Sequence, residues 1–376
     1  MPKYRLLKFD VVHPHSYLEQ KHREWDDIDR LSLGAYRTRL NQLRSNYSDY
    51  YTYHLDDATW EAEEFYLADS VFLHKVAHML YGSLWPAQRL KSYAMGRLRK
   101  QRRWAYQVVY DYIHATQPDV LFVRSQPLDS SFWQQFRDET LLVARLSARM
   151  PTNWHPEHFD VVYTDVPVFR DFFALHDVPT YLNDQGFDPR IPNELTSRPK
   201  QRDVTFVGGL GTQNFTQRTA LLEQVAAAIP SFEWWGYWWP SWNDSSPSRE
   251  FPNLKRTFRG PTSGLEMFQI YRDSRVCLND YVDTAGGLGV NQRMYEVLGV
   301  GSFLLTRQAR NLEDDFPGMP FATYQSTDEC LNQICYYLEH DEEREAIAAN
   351  GQSCVLEHYN YEDIVQEFGQ TIRKHL

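Results

Sequence analysis

Apolar positions along this chain fall into two textures: short runs apolar on both faces, and longer stretches with helical spacing. Residues 6–12 predict an opening strand, and residues 17–112 a helical region with polar and aromatic segments and few breakers. Pro118-Asp-Val-Leu-Phe-Val-Arg124 reads as a buried strand, followed by a turn at Pro127 and an acidic helix start. Residues 141–146, 159–164 and 178–182 predict further strands. Strands alternating with helices favour a parallel α/β sheet.

The texture changes at residues 182–201, rich in Pro, Asn, Ser and Arg, which read as a linker between domains. The pattern then restarts with Asp203-Val-Thr-Phe-Val-Gly-Gly-Leu-Gly-Thr212, a strand and a glycine turn. A helix over 218–229, a strand over 232–235, a helix over 264–274 and a strand over 276–279 follow. A glycine loop and short helix lead to a strand over 302–306, and helices over 328–339, 341–357 and 361–375 close the chain. The loops after such strands share one sheet edge, where open parallel sheets bind ligands.

A length of 376 residues exceeds one ordinary core and suits two domains. The net charge of −11 weighs against nucleic acid as a partner. An acid-free basic group, Arg89, Lys91, Arg97, Arg99, Lys100, Arg102 and Arg103, is read either as a solvated helix face or as a docking surface for an anionic acceptor or acidic lipid headgroups. That second reading would give peripheral contact at the inner face of a membrane through residues 89–103. No apolar run approaches the roughly 20 residues that span a bilayer, and the N-terminus lacks a signal-peptide h-region, so a cytoplasmic protein is expected. Cys277, Cys330, Cys335 and Cys354 lack CxxC spacing, which predicts reduced thiols and no zinc site. Neither a metal-ligand run nor a nucleophile elbow or paired-carboxylate motif occurs.

The chemistry concentrates in residues 283–306. A glycine loop at Gly286 and Gly287 opens a helix that begins with Asn291, Arg293 and Glu296. Helix N-termini attract anions through unpaired N–H groups and the helix dipole. Arg293 adds a two-pronged donor for phosphate oxygens, and Glu296, one turn on, can accept from a ribose diol. Gly208, Gly209, Gly211 and Thr212 read either as a second phosphate loop or as a plain chain reversal. Arg259 and Gly260 open a loop read either as a base-binding segment or as a turn capped by Ser263. The cluster Trp234, Trp235, Tyr237, Trp238, Trp239 and Trp242 is read mainly as packing, with sugar stacking as the functional option. In the first half, His13 and His15 follow the opening strand where a general base would sit. Arg124 and Gln126 occupy an equivalent edge, suited to an acceptor or sugar.

Together, Phe206-Val-Gly-Gly-Leu-Gly211, Phe258-Arg-Gly-Pro-Thr-Ser-Gly-Leu-Glu-Met-Phe268, Val276-Cys-Leu-Asn279, Asn291-Gln-Arg-Met-Tyr-Glu296 and Gly299-Val-Gly-Ser-Phe-Leu-Leu-Thr306 resemble the sugar-nucleotide domain of group 1-type glycosyltransferases, nearest the spore-maturation CgeB-like branch. The resemblance covers residues 203–357. It implies an α/β GT-B architecture: two Rossmann-like domains facing a central cleft, with a C-terminal helix crossing back to the first domain. The implied limits are an acceptor domain over 1–195, a nucleotide-sugar domain over 203–357 and the returning helix over 358–376. It also implies metal-independent sugar transfer to a glycan or lipid-linked acceptor, with a nucleotide sugar as co-substrate and no cofactor. Glu296 would take the ribose, while Arg293, Asn291 and the glycine loops would take the diphosphate. Retaining members often carry two glutamates eight positions apart, and Leu288 stands where the first would be, so the pattern does not establish retention. A nucleotide-sugar epimerase and a non-catalytic nucleotide-sugar-binding scaffold are the alternative readings.

Overall fold

The computed structural model describes residues 3–45, 48–55, 57–84, 103–124, 128–146, 154–165, 167–182, 185–239, 249–283, 287–289 and 291–376. The chain forms two compact units, one of Met1–Val12, Trp25–Asn183 and Val365–Leu376, the other of His13–Glu24 and Asp184–Ile364.

The first unit holds β1 (Tyr4–Asp10), β2 (Trp60–Tyr66), β3 (Val120–Val123), β4 (Leu141–Leu146), β5 (Val161–Thr164) and β6 (Thr180–Leu182), ordered β2-β1-β3-β4-β5-β6. All its pairings are parallel. Its central strand β3 is apolar throughout, as expected where helices cover both faces of a parallel sheet; Val120, Leu121, Phe122 and Val123 are all buried. β2 departs from the helix expected over 17–112. Its three glutamates favour helix locally, but β1 pairs with all seven residues, leaving Glu61 exposed and burying Glu64 against Lys8. Tertiary pairing overrides propensity at this edge. The helix Tyr361–Ile372 supplies Phe368, which packs on Tyr51, Phe122 and Tyr163 within this unit.

The second unit holds β7 (Arg202–Gly211), β8 (Phe232–Trp239), β9 (Ser274–Asn279), β10 (Leu304–Arg307) and β11 (Ala322–Tyr324), ordered β11-β10-β9-β7-β8 and again all parallel. Phe206, Leu210, Leu222, Trp234, Val276 and Leu305 anchor its core. Each sheet reverses its strand order beside its first strand, between β1 and β3 and between β7 and β9. Such switch points hold the ligands of open α/β sheets.

Three expectations change here. The glycine run 208–211 is strand rather than turn, since β7 stays in register with β8 through Gly208↔Gly236 and Gly211↔Trp239. The aromatic cluster is largely the strand β8, with Trp234, Trp235 and Trp238 buried; Trp242 lies outside the described residues. The segment read as a linker belongs to the second unit. There Phe187 packs on Phe268, and buried Asp188 holds Arg190.

Candidate functional site

The switch point between β7 and β9 gathers the charged groups of the second unit. Arg293, in the first turn of the helix Gln292–Gly299, reaches back over β7. Its Nε donates to the Val207 carbonyl at 2.5 Å, its Nη1 to the Asn279 side-chain oxygen at 2.5 Å, and its guanidinium lies over the Phe206 ring at 4.6 Å. A Cβ at Gly208 would collide with that guanidinium, so a larger residue there would push Arg293 aside. Asn291 caps the helix by position only: its side chain makes no cap bond, and its amide instead donates to Asn279 at 3.1 Å.

Arg218 is a buried cation beside Arg293 that the sequence reading did not single out. It sits in the first turn of the helix Thr216–Ala228 and is 3% exposed. One terminal nitrogen donates to the Asp280 carbonyl at 3.1 Å, and the guanidinium lies over Phe215 and Phe206. Among the described residues its Nε finds no hydrogen-bond partner. Burial, and next the charge of Arg293, push its pKa down to about 10. Its only sequence signal was an arginine at the start of a helix that follows a glycine-rich strand.

The nearby carboxylates do not offset these two cations by pairing with them. Asp280 is clamped by Arg307 through two 2.7 Å hydrogen bonds, which raise the Arg307 pKa. Asp283 accepts from the backbone N–H of Thr216 at 2.7 Å and Gln217 at 3.2 Å. A carboxylate of the chain thus already holds two N–H groups at the start of the helix that follows the glycine run. Glu296 is half-buried, and burial lifts its pKa to about 7 against the opposing charge of Arg293.

The other expected ligands are dispersed. Arg259 is exposed and ion-paired with Glu233 at 2.7 Å, so its charge is already matched. Gly260 accepts from the Gly236 N–H at 3.0 Å, and the buried Thr262 hydroxyl in the same loop has no hydrogen-bond partner among the described residues. Gly287 is exposed in a left-handed conformation (φ +82°) beside Arg310; Gly286 lies outside the described residues. Gly209 lies against the Tyr237 ring, and Gly211 against the Trp239 backbone.

Arg124 is not presented as an acceptor ligand. Its side chain is 3% exposed, 3.8 Å from Asp10 and over the Tyr51 ring. Gln126 and most of the basic 89–103 segment fall outside the described residues. His13 and His15, placed by sequence on the first domain, belong to the second unit. His15 is exposed, 3.4 Å from Glu19, while the His13 ring meets Tyr237 edge-on at 5.0 Å. All four cysteines are free. Among the described residues no helix is long and apolar enough to cross a membrane.

Residues 217–370 match a family model described as glycosyl transferase-like. No curated protein matches the chain. Among solved structures, HepE of Anabaena in complex with UDP-glucose aligns at TM-score 0.59 and 12% identity, covering 98% of this chain and 99% of that one. Sucrose-phosphate synthase of Thermosynechococcus elongatus aligns at 0.54 and 12%, covering 99% of each chain. A glycosyltransferase of Rickettsia africae aligns at 0.54 and 9%, covering 100% of this chain and 99% of that one. The chain therefore has the two-sheet α/β fold of GT-B structures, and its second sheet lies largely within the segment that matches the glycosyl transferase-like model.

Proposed function

We propose that this protein transfers a sugar from a nucleoside-diphosphate donor to a hydroxyl of a glycan or lipid-linked acceptor. The observation that carries the reading is the pair Arg218 and Arg293, two cations at a switch point whose neighbouring carboxylates are committed elsewhere. A diphosphate supplies the matching negative charge. Glu296, one turn along from Arg293, would accept from the ribose diol. The loop 259–263 would meet the base through its backbone and the Thr262 hydroxyl. That HepE holds UDP-glucose in a similar fold favours a uridine diphosphate sugar.

In the transfer, the bond from the anomeric carbon to the diphosphate breaks and its electron pair leaves with the phosphate oxygen. The acceptor oxygen bonds to that carbon and surrenders its proton to a base. Fixed guanidinium groups lower the barrier by meeting charge as it develops on the leaving group. On this reading no metal or cofactor is needed, and the basic segment 89–103 brings the protein to acidic lipid headgroups near its acceptor.

A thermal-shift panel of UDP, GDP, ADP and their sugars tests the donor assignment, because a ligand that binds only the folded state raises its melting temperature. One diphosphate should shift the midpoint well above its parent nucleoside. A flat panel would sink the proposal. With the donor identified, turnover in EDTA should equal turnover without it.

A further inference from the structure

We infer that His13 is a ligand of the donor's diphosphate, held in place by Tyr237; this rests on the donor-site reading above. Sequence position after β1 suggests a residue of the acceptor domain, yet the segment 13–24 belongs to the second unit. The His13 carbonyl accepts from the Ser263 hydroxyl at 2.8 Å, at the start of the helix Gly264–Arg272. Lys21, from the helix His15–Glu24, forms an ion pair with Glu266 on that same helix. Tyr17, on the same face, is fully buried. The segment is therefore clasped at two points about two helical turns apart, and His13 moves with the donor-binding sheet.

The clasp sets the imidazole against Tyr237. Its ring stands edge-on to Tyr237 at 5.0 Å. Tyr237 in turn covers Gly209, the residue after the one that Arg293 overlies. The Tyr237 phenol feels both cations: burial raises its pKa, while the fields of Arg218 and Arg293 oppose that rise. A phosphate bridging Arg218 and Arg293 would thus sit beside the Tyr237–His13 pair. A ring nitrogen of His13 can donate to a phosphate oxygen there, adding neutralisation on the side facing away from the arginines. No proton has to be transferred for this role; the N–H holds the oxygen that receives the electron pair when the sugar leaves.

Inorganic pyrophosphate is the probe, since it reports the diphosphate subsite whatever base the donor carries. Titration calorimetry would compare the wild type with His13→Ala, His13→Gln and Arg293→Ala, with melting temperatures confirming that each variant is folded. Pyrophosphate should bind His13→Ala about 10-fold more weakly, while His13→Gln, which keeps an N–H donor, should recover most of the affinity. Arg293→Ala should lose more than either. His13→Ala binding within twofold of the wild type, with Arg293→Ala impaired, would overturn the inference and leave the donor site standing. Equal binding by wild type and Arg293→Ala, or none by the wild type, would overturn both.

Discussion

At the edge of the first sheet, Asp10 ends β1 and Arg124 follows β3, on either side of the point where the strand order reverses. At the same place in the second sheet stand Arg218 and Arg293, brought there by the helices that follow β7 and β9. Both edges bury cations, but they balance them differently. In the first unit Lys8 is enclosed by Glu64 at 2.8 and 2.9 Å, the Ser48 carbonyl at 2.6 Å and Asp10 at 3.3 Å. Arg145 likewise meets Asp165 at 3.4 Å. In the second unit the two arginines face carbonyls, an amide and each other. A buried charge costs several kcal/mol of lost hydration unless something opposite compensates it. Where the chain supplies the compensation the cluster is a structural element, and where it does not, a ligand of opposite charge is the natural complement.

Substitutions that remove one cation from each edge should therefore behave in opposite ways. Lys8→Met leaves the Glu64 and Asp10 carboxylates enclosed without their nearest cation. It should cost about 3–5 kcal/mol of stability by chemical denaturation. A variant as stable as the wild type would erase the distinction between the two edges. Arg218→Met removes a desolvated cation that sits beside another. Its stability should stay equal or rise, while affinity for the donor diphosphate falls roughly 10- to 100-fold by calorimetry.

The carboxylates sharpen the comparison through pH. Because the folded-state pKa of Glu296 is lifted from 4.5 to about 7, the folded protein holds that proton more tightly than the unfolded chain. This contribution to stability is complete below about pH 4.5 and is lost as pH rises through 7. Glu296→Gln should consequently melt like the wild type near pH 4 and above it at pH 8, by about 2 kcal/mol. Equal midpoints at both pH values would show that the carboxyl group is not desolvated as described. Glu64 shares the same upward displacement, so only the difference between variant and wild type isolates Glu296. The smallest effect belongs to Arg259→Ala. With its guanidinium already paired to Glu233 at the surface, donor affinity should change by less than about twofold, since exposed ion pairs contribute little. A large loss would return Arg259 to the nucleotide site.

Much of the architecture was legible in the order of residues. Apolar runs such as Val120–Val123 and the helical spacing between them fix an α/β alternation, because burial on both faces of a parallel sheet demands that pattern. Arg293 and Glu296 were readable too, since they lie one turn apart on a helix opened by glycines, and such spacing is local chemistry. Beyond that reach, pairing between distant segments decided the outcome. The Gly208–Gly211 run became strand because β8 continues alongside it, and β2 became strand because β1 pairs with all of it. Asp283 capped a helix 66 and 67 residues away in sequence, holding two of its N–H groups. Arg124 disappeared into an internal ion pair, Arg218 emerged as a buried cation, and His13 was carried to the second unit by Ser263 and Glu266. The sequence by itself determined the α/β alternation and the helix on which Arg293 and Glu296 lie one turn apart, because those follow from neighbours along the chain. Which charges are cancelled within the chain was decided only by the tertiary structure, because compensation depends on distances across the fold.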